Sequence, residues 1–184
     1  MILEYVLKLK GMDPATDVNL LQNIDFANTS GAFTGGTGDF TVEFEPSASL
    51  LEEQGAGYVV ASLGVESGYV PYTCFSAKKS YLEENPEIIQ AFTNAVQKGL
   101  NFCAANDSGA IAEVIAPQFP DTDLELLTKI VERYAAQDSF KETAVFEENS
   151  FELLQNILNE AGELKEPVPY DKLVDNQFAK KAAE

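Results

Sequence analysis

The sequence predicts an α/β fold in which a lobe built on a parallel-rich sheet is followed by a mostly helical C-terminal segment. Three observations predict it. Strand-like and helix-like patterns alternate between residues 18 and 64, as is typical of a parallel sheet. The run Gly57–Gly64 is continuously apolar, like a strand buried on both faces. After Pro86, apolar residues recur mainly at helical spacing.

The first elements follow from apolar spacing and from stop signals. Residues Ile2–Lys10 place their apolar side chains on one broad face, and Gly11 stands in the stop position, which predicts an amphipathic helix without an N-cap side chain. A short strand is predicted over Val18–Ile24. Asp25 is predicted to cap a helix from residue 26 to about residue 33, which a run of glycines then ends.

The next segment predicts two further strands around a helix, and a last strand before the helical part. Phe40, Val42 and Phe44 alternate with polar residues, which is strand periodicity. Pro46 closes that strand and begins a helix over residues 47–54, and the apolar run Gly57–Gly64 follows. Residues 70–78 predict the final strand.

The remainder of the chain predicts helices. Pro86 stands at the first position of a long helix whose apolar residues keep helical spacing through Cys103. Three more helices are predicted in the segments beginning at Ser108, Asp121 and Asn149, each with a polar start signal. The tail from Tyr170 predicts one weak final helix.

Composition excludes several classes of function. The chain has no histidine, so histidine-based acid–base catalysis, Ser-His-Asp triads and histidine zinc sites are excluded. Arg133 is the only arginine and the net charge is −18, which argues against binding to nucleic acid or to anionic membranes. No apolar run is long enough to span a membrane, and no signal segment is seen in this chain.

Neither the glycines nor the cysteines form a recognisable functional motif. Gly31–Gly36 has the first spacing of a phosphate-binding loop, but Thr37 and Gly38 stand where lysine and serine or threonine are required. We therefore expect these glycines to end a helix and form a turn. Cys74 and Cys103 are expected to be buried free thiols, with a disulfide as the alternative.

Two pairs of residues are candidates for ligand contact. Glu45-Pro46 and Asp25-Phe26 each stand where a predicted strand ends and a helix begins, and ligands bind beyond such strand ends in open parallel sheets. The alternative for each acid is an N-cap or a solvated carboxylate. Tyr69 and Tyr72 are the aromatic residues best placed to line a cleft.

The order of several segments resembles the ABC-transporter solute-binding proteins. The segments beginning at Tyr81 and Ser108, "YLEENPEIIQAFTNAVQKGLNF" and "SGAIAEVIAPQFP", are similar to the C-terminal region of that family. "EYVLKLKGMDPATDVNL", "GDFTVEFEPSASLLEEQGAGYVVASLG" and "PYTCFSAKKSYLEENP" resemble its second-lobe and return-crossing segments. The branch it most resembles binds aliphatic sulfonates, nitrate and thiamine-related pyrimidines.

The resemblance implies a type II periplasmic-binding fold, with two hinged lobes that close on a solute. Residues 1–68 would form the second-lobe segment, and residues 69–184 the return crossing and the C-terminal helices of the first lobe. Solute binding is then implied for Asp25, Phe26, Glu45, Ser62, Gly64, Tyr72 and Thr73. No catalytic residue, metal or cofactor is implied. The charge suits a heterocyclic amine or a thiamine-related pyrimidine, because no Lys or Arg lies between Lys10 and Lys78.

The resemblance also implies that the sequence is the C-terminal part of a longer protein. That protein would be extracytoplasmic and would deliver its solute to an ABC permease. A chain truncated in this way is expected to leave apolar surface uncovered and to self-associate.

Two other functions stay open on the same fold. One is an effector-sensing or interaction domain, which an upstream helix-turn-helix would favour. The other is a pyrimidine-synthase-type enzyme, a chemistry expected to need histidine. Formation of an internal aldimine with pyridoxal phosphate would distinguish the enzyme from the binding protein.

Overall fold

The chain is all-helical in a computed structural model that describes residues 1–184. Its eleven α-helices are α1 (Ile2–Leu9), α2 (Thr29–Thr34), α3 (Ser47–Glu53), α4 (Leu63–Ser67), α5 (Lys79–Glu84), α6 (Pro86–Ala105), α7 (Ser108–Ile115), α8 (Leu124–Ala136), α9 (Glu148–Glu160), α10 (Tyr170–Leu173) and α11 (Gln177–Ala182). Two 3₁₀ turns, Phe26–Asn28 and Ala116–Gln118, precede α2 and follow α7.

The predicted α/β fold with a parallel-rich sheet is therefore wrong. The four segments predicted as strands, 18–24, 40–45, 57–64 and 70–78, form no β-ladder. Outside the helices, every backbone–backbone hydrogen bond joins residues no more than six positions apart. A strand needs hydrogen bonds to a distant neighbour, and these segments find none within the chain. The last two residues of the third segment, 63 and 64, instead begin the short helix α4.

Most predicted helices are confirmed, because their signals are local. Helix α1 ends at Leu9, and Gly11 follows with φ of 80°, in the left-handed region that favours glycine. Pro86 begins the twenty-residue helix α6. Asp107 and Asp123 cap α7 and α8 by accepting hydrogen bonds from backbone N–H groups inside each helix.

Several details of the helix predictions need correction. Asp25 precedes the 3₁₀ turn but makes no capping hydrogen bond with its side chain, so its predicted cap is wrong. The predicted helix over residues 26–33 is divided into the 3₁₀ turn and α2. The tail forms two short helices, α10 and α11, where one was predicted. Cys74 is exposed and Cys103 half-buried, both as free thiols, so only the thiol state agrees with expectation.

The apolar core lies in the C-terminal helices. Only 14 of the 184 residues are buried, and Val6 and Leu51 are the only apolar ones among the first 78. The main cluster joins α7 to α8 through Ile111, Ala112, Leu127 and Val131, with Cys103, Ile115, Ala116 and Phe140 packed around it. Helix α11 packs on α6, and α1 packs on α4. The N-terminal segments consequently depend on side-chain contacts with α8 and the loop after it for their position.

Candidate functional site

Three aromatic rings from distant parts of the sequence meet on the surface and form an aromatic cluster, Phe26–Phe44–Tyr72. The ring centroids of Phe26 and Phe44 lie 5.1 Å apart in an edge-to-face arrangement. Those of Phe44 and Tyr72 lie 5.0 Å apart. Phe26 and Phe44 are about half exposed and Tyr72 is 78% exposed. Clustered rings that keep this much free surface can stack on a planar ligand.

Local hydrogen bonds hold the first two rings in place. The 3₁₀ turn that carries Phe26 is closed by Thr29, whose hydroxyl donates to the Phe26 carbonyl over 2.8 Å. Phe44 immediately precedes the turn into α3, and its carbonyl accepts from the backbone N–H of Ala48. Tyr72 lies in the non-helical segment 68–78. The cluster therefore joins two hydrogen-bonded turns to one irregular segment.

An ion-pair network anchors α3 to α8 directly beside this cluster. Arg133 donates to Glu45 Oε1 and to Glu52 Oε2, each over 2.6 Å, and to Ser49 Oγ over 3.1 Å. Glu45 also accepts from the backbone N–H of Ser49 and from the Ser49 hydroxyl. The Glu45 side chain is only 6% exposed. Its carboxylate is thus directed at Arg133 and the first turn of α3.

The pKa shifts in this network follow from its contacts. The pKa of Glu52 is lowered from its usual value, first by the hydrogen bond from the backbone N–H of Val59 and then by Arg133. Burial alone would lower the pKa of Arg133, but its hydrogen bonds with Glu52 and Glu45 outweigh burial and raise it. Glu52 and Arg133 are therefore charged at neutral pH, and the arginine is occupied by carboxylates.

A second set of polar contacts ties the region around α4 to the loop after α8. Ser62 donates to the amide oxygen of Gln137 over 2.8 Å, and its oxygen accepts the N–H of Val65 as the cap of α4. The Tyr69 hydroxyl donates to Asp138 over 2.8 Å, and Lys141 pairs with Asp138. These contacts fix residues 62–69 against the end of α8.

The Tyr69 phenol and the Asp138 carboxyl shift each other's pKa. The hydrogen bond to Asp138, followed by the charge of that carboxylate, raises the pKa of Tyr69. Lys141, whose Nζ lies 3.9 Å from the Tyr69 ring centroid, partly opposes this effect. Hydrogen bonds from Lys141 and Tyr69 lower the pKa of Asp138. The phenol thus stays protonated while the carboxylate stays charged.

The predicted site residues fall into two groups in the structure. Phe26 and Tyr72 are brought together by Phe44, and the exposed residues Asp25 and Thr73 are their chain neighbours. Ser62 and the exposed Gly64 lie instead beside Gln137. Glu45 follows Phe44 in the chain but is occupied by Arg133 and Ser49. A ligand-binding role for each of these residues remains a prediction.

Sequence reasoning missed Phe44 and Arg133 as parts of this region. The alternating pattern predicts Phe44 on a strand face, although its position directly before Glu45-Pro46 marks it as a neighbour of the predicted site. Glu45, Ser49 and Glu52 follow the i, i+4, i+7 spacing of one helix face, a pattern that suits a single cationic partner. Arg133, as the sole arginine, was the candidate for that partner.

Two concave surfaces elsewhere on the chain contain none of the predicted site residues. A groove of about 450 Å³ runs between α9 and residues 168–171, with Glu148, Glu152 and Asp171 beside Phe151 and Tyr170. A second depression of about 620 Å³ lies at the start of α8. No group of three acidic or cysteine side chains is arranged to hold a metal ion. No helix is long and apolar enough to cross a membrane.

Comparison with known proteins defines the class of protein to which this chain belongs. Residues 1–117 match the model of the NMT1-like family, and the chain belongs to that family, which is of the periplasmic-binding type. A relative from Bacillus subtilis (strain 168), described as "Putative binding protein YtlA", is 43% identical over 181 residues. The match covers 98% of this chain and 54% of the relative, so the chain spans about half of the relative's length. No solved structure matches the chain.

Proposed function

We propose that this chain binds a small planar solute, as the binding component of an importer of the ABC type. The observation that carries the proposal is the aromatic cluster Phe26–Phe44–Tyr72, which three separate segments assemble and leave exposed. Membership of the NMT1-like family and the relative described as a binding protein support the same function. Neither points to an enzyme.

The charge of the region favours a neutral or cationic solute over an anionic one. Arg133 is held by Glu45 and Glu52, and Lys10 pairs with Glu66. No Lys or Arg occurs between Lys10 and Lys78, whereas Asp25 is exposed next to Phe26. A heterocyclic amine, such as a thiamine-related pyrimidine, matches stacking rings next to a carboxylate. A sulfonate or nitrate would lack a free cationic partner in this region.

Delivery to an ABC permease, outside the cytoplasm, is part of the same proposal. It rests on the resemblance to solute-binding proteins and on membership of the NMT1-like family. Within the chain itself, the proposal assigns solute contact to Phe26, Phe44 and Tyr72, with Asp25 and Thr73 at the edge of the cluster.

Calorimetric titration tests the proposed solute directly. The chain is titrated with a thiamine-type aminopyrimidine and with taurine, as wild type and as the variants Phe44→Ala and Tyr72→Ala. We expect aminopyrimidine to bind, and each variant to bind about tenfold more weakly, since an aromatic pair contributes about 0.5–1.5 kcal/mol beyond its buried area. Tyr58→Ala is the matched control, because Tyr58 is 84% exposed and lies outside the cluster. Tighter binding of taurine, or an equal loss in the control, would contradict the proposal.

A further inference from the structure

Two consecutive residues of α8 hold Glu45, one through its side chain and one through its backbone. The Glu45 carboxylate accepts from Arg133 over 2.6 Å, and the Glu45 N–H donates to the Tyr134 hydroxyl over 3.4 Å. The side chain of Glu45 is 6% exposed and that of Arg133 is 22% exposed. Solvent ions screen a buried ion pair much less than a surface pair. Residue 45 is therefore held firmly in place against α8.

The Glu45 carboxylate has little capacity left for a solute. Oε1 accepts from Arg133 and from the Ser49 hydroxyl, and Oε2 accepts from the Ser49 backbone N–H over 3.0 Å. These bonds use most of the roughly four acceptor positions that a carboxylate offers. A cationic solute would also meet the positive charge of Arg133 there. Direct contact between Glu45 and such a solute is consequently disfavoured.

Phe44 is the ring that this arrangement positions. It directly precedes Glu45, and its carbonyl accepts from the backbone N–H of Ala48 over 3.1 Å. It is also the central ring of the aromatic cluster, because it contacts both Phe26 and Tyr72. Of the three rings, it is the one that adjoins a residue hydrogen-bonded to α8. A displacement of Phe44 would therefore break up both ring pairs.

We propose that Glu45 and Arg133 are positioning residues of the aromatic cluster and that neither contacts the solute. Arg133 fixes the Glu45 carboxylate, and the backbone of Glu45 fixes Phe44 one residue earlier. Contact groups that are already ordered lose less conformational entropy when a ligand binds. The two residues thus strengthen binding by holding the central ring in place before the solute arrives. The effect on affinity rests on the proposed function, whereas the positioning of the ring does not.

The sign of one mutational effect distinguishes positioning from contact. Arg133→Gln removes the cation and leaves Glu45 in place, and the chain is titrated calorimetrically with a thiamine-type aminopyrimidine that bears an ammonium group. If Glu45 contacted this solute, release of its carboxylate would strengthen binding. We expect binding to weaken by about threefold to tenfold, a loss no larger than that of Phe44→Ala. Arg133→Lys restores a cation opposite Glu45 and should recover part of the affinity.

A double-mutant cycle tests whether Arg133 acts through the central ring. In a Phe44→Ala background that ring is absent, so Arg133→Gln should no longer change the affinity. An undiminished effect in that background would mean that Arg133 acts by another route, and would overturn the inference. Lys129→Ala is the charge control, because Lys129 faces Glu52. It should leave the affinity unchanged.

Ring contacts in the ligand-free chain test the positioning without any solute. With labelled phenylalanine and tyrosine rings, nuclear Overhauser effects should join Phe44 to Phe26 and to Tyr72. They should weaken in Arg133→Gln, return in Arg133→Lys and persist in Lys129→Ala. If circular dichroism shows that Arg133→Gln does not fold, Tyr134→Phe makes the same test, because it removes only the hydroxyl that holds the Glu45 N–H.

The outcomes separate this inference from the proposed function. Ring contacts that depend on Arg133, in a chain that binds no aminopyrimidine, support the positioning and contradict the proposed solute. Ring contacts that Arg133→Gln leaves unchanged, or tighter binding by that variant, overturn the inference. If the wild-type chain still binds aminopyrimidine in that case, the proposed function stands.

Discussion

Arg133 on α8 lies 2.6 Å from the carboxylate of Glu45, a residue 88 positions earlier in the chain. Together with the bond to Glu52, this contact anchors the N-terminal segments to the helical core. We expect Arg133→Ala to lower the free energy of unfolding by about 3 kcal/mol, because Glu45, 6% exposed, loses its cation and Glu52, 18% exposed, keeps only the more distant Lys129. Denaturant unfolding followed by circular dichroism measures the change.

The neighbouring Lys129 provides the control for that variant. It lies 3.8 Å from the same Glu52 oxygen, but its side chain is 53% exposed. Lys129→Ala should therefore cost less than about 1 kcal/mol. Equal losses from the two variants would show that overall charge, rather than the anchoring contact, determines the stability.

Lowering the pH should weaken the same contact between α3 and α8, because Glu52 becomes protonated and loses its charge. Its pKa is lowered in the folded chain from the usual 4.5, so its contribution to stability is complete above that value and is lost as the pH falls through the folded value. We expect Glu52→Gln to be less stable than wild type at neutral pH, and the difference to shrink below about pH 4.5. Urea unfolding across this pH range measures the difference.

Glu53→Gln is the matched control, since Glu53 is the exposed neighbour on α3. Both variants remove one negative charge, so the general effect of net charge cancels between them. If Glu53→Gln showed the same dependence on pH as Glu52→Gln, the contacts of Glu52 with Val59 and Arg133 would not be its cause.

The pKa of Tyr69 should move in opposite directions when each of its two charged neighbours, Asp138 and Lys141, is neutralised. The pKa of Tyr69 is raised above the usual 10.0 by its hydrogen bond to Asp138 and by that residue's charge, while Lys141 lowers it. Asp138→Asn should therefore lower the pKa of Tyr69, and Lys141→Met should raise it. Alkaline titration of the tyrosine absorbance, with Tyr69→Phe to assign the signal, measures both shifts. Shifts of the same sign in the two variants would contradict the assigned contacts.

Gln97 should be sensitive to truncation because its amide is buried and fully bonded. The side chain donates to the Glu142 carbonyl over 2.7 Å and accepts from the N–H of Ala144 over 3.1 Å. Gln97→Ala leaves both backbone groups without that partner, and we expect a loss of about 2 kcal/mol. Asn94→Ala, on an exposed part of the same helix, should cost less than about 1 kcal/mol. Thermal unfolding measures both losses of stability, and Gln97→Ala should show the larger one.

The helices were predictable because their hydrogen bonds lie within each segment. Pro86, Asp107 and Asp123 mark helix starts that the structure confirms. The strand patterns failed for the opposite reason. The alternation over 40–45 and the apolar run 57–64 describe side chains suited to a sheet, but pairing also needs a partner segment. The chain supplies none, so apolar pattern alone overestimated the regular structure.

The candidate site was partly predictable from local sequence. The aromatic character of Phe26 and Tyr72 is visible in the sequence, and the structure brings the two rings together. The contact that joins them runs through Phe44, 18 residues from Phe26 and 28 from Tyr72, which no local pattern specifies. Pairing of Glu45 with Arg133 likewise depends on how α3 meets α8. Sequence supplied the residue types, and tertiary packing decided which of them meet.

The large accessible surface has a calorimetric consequence. An unfolded chain of this mass exposes roughly 29,000 Å², so unfolding from 12702 Å² uncovers about a fifth less surface than unfolding from a compact globule. The heat-capacity increment and the denaturant slope both scale with the newly exposed area. Both are expected to be correspondingly small for the isolated chain, which gives it a flatter stability curve between cold and heat.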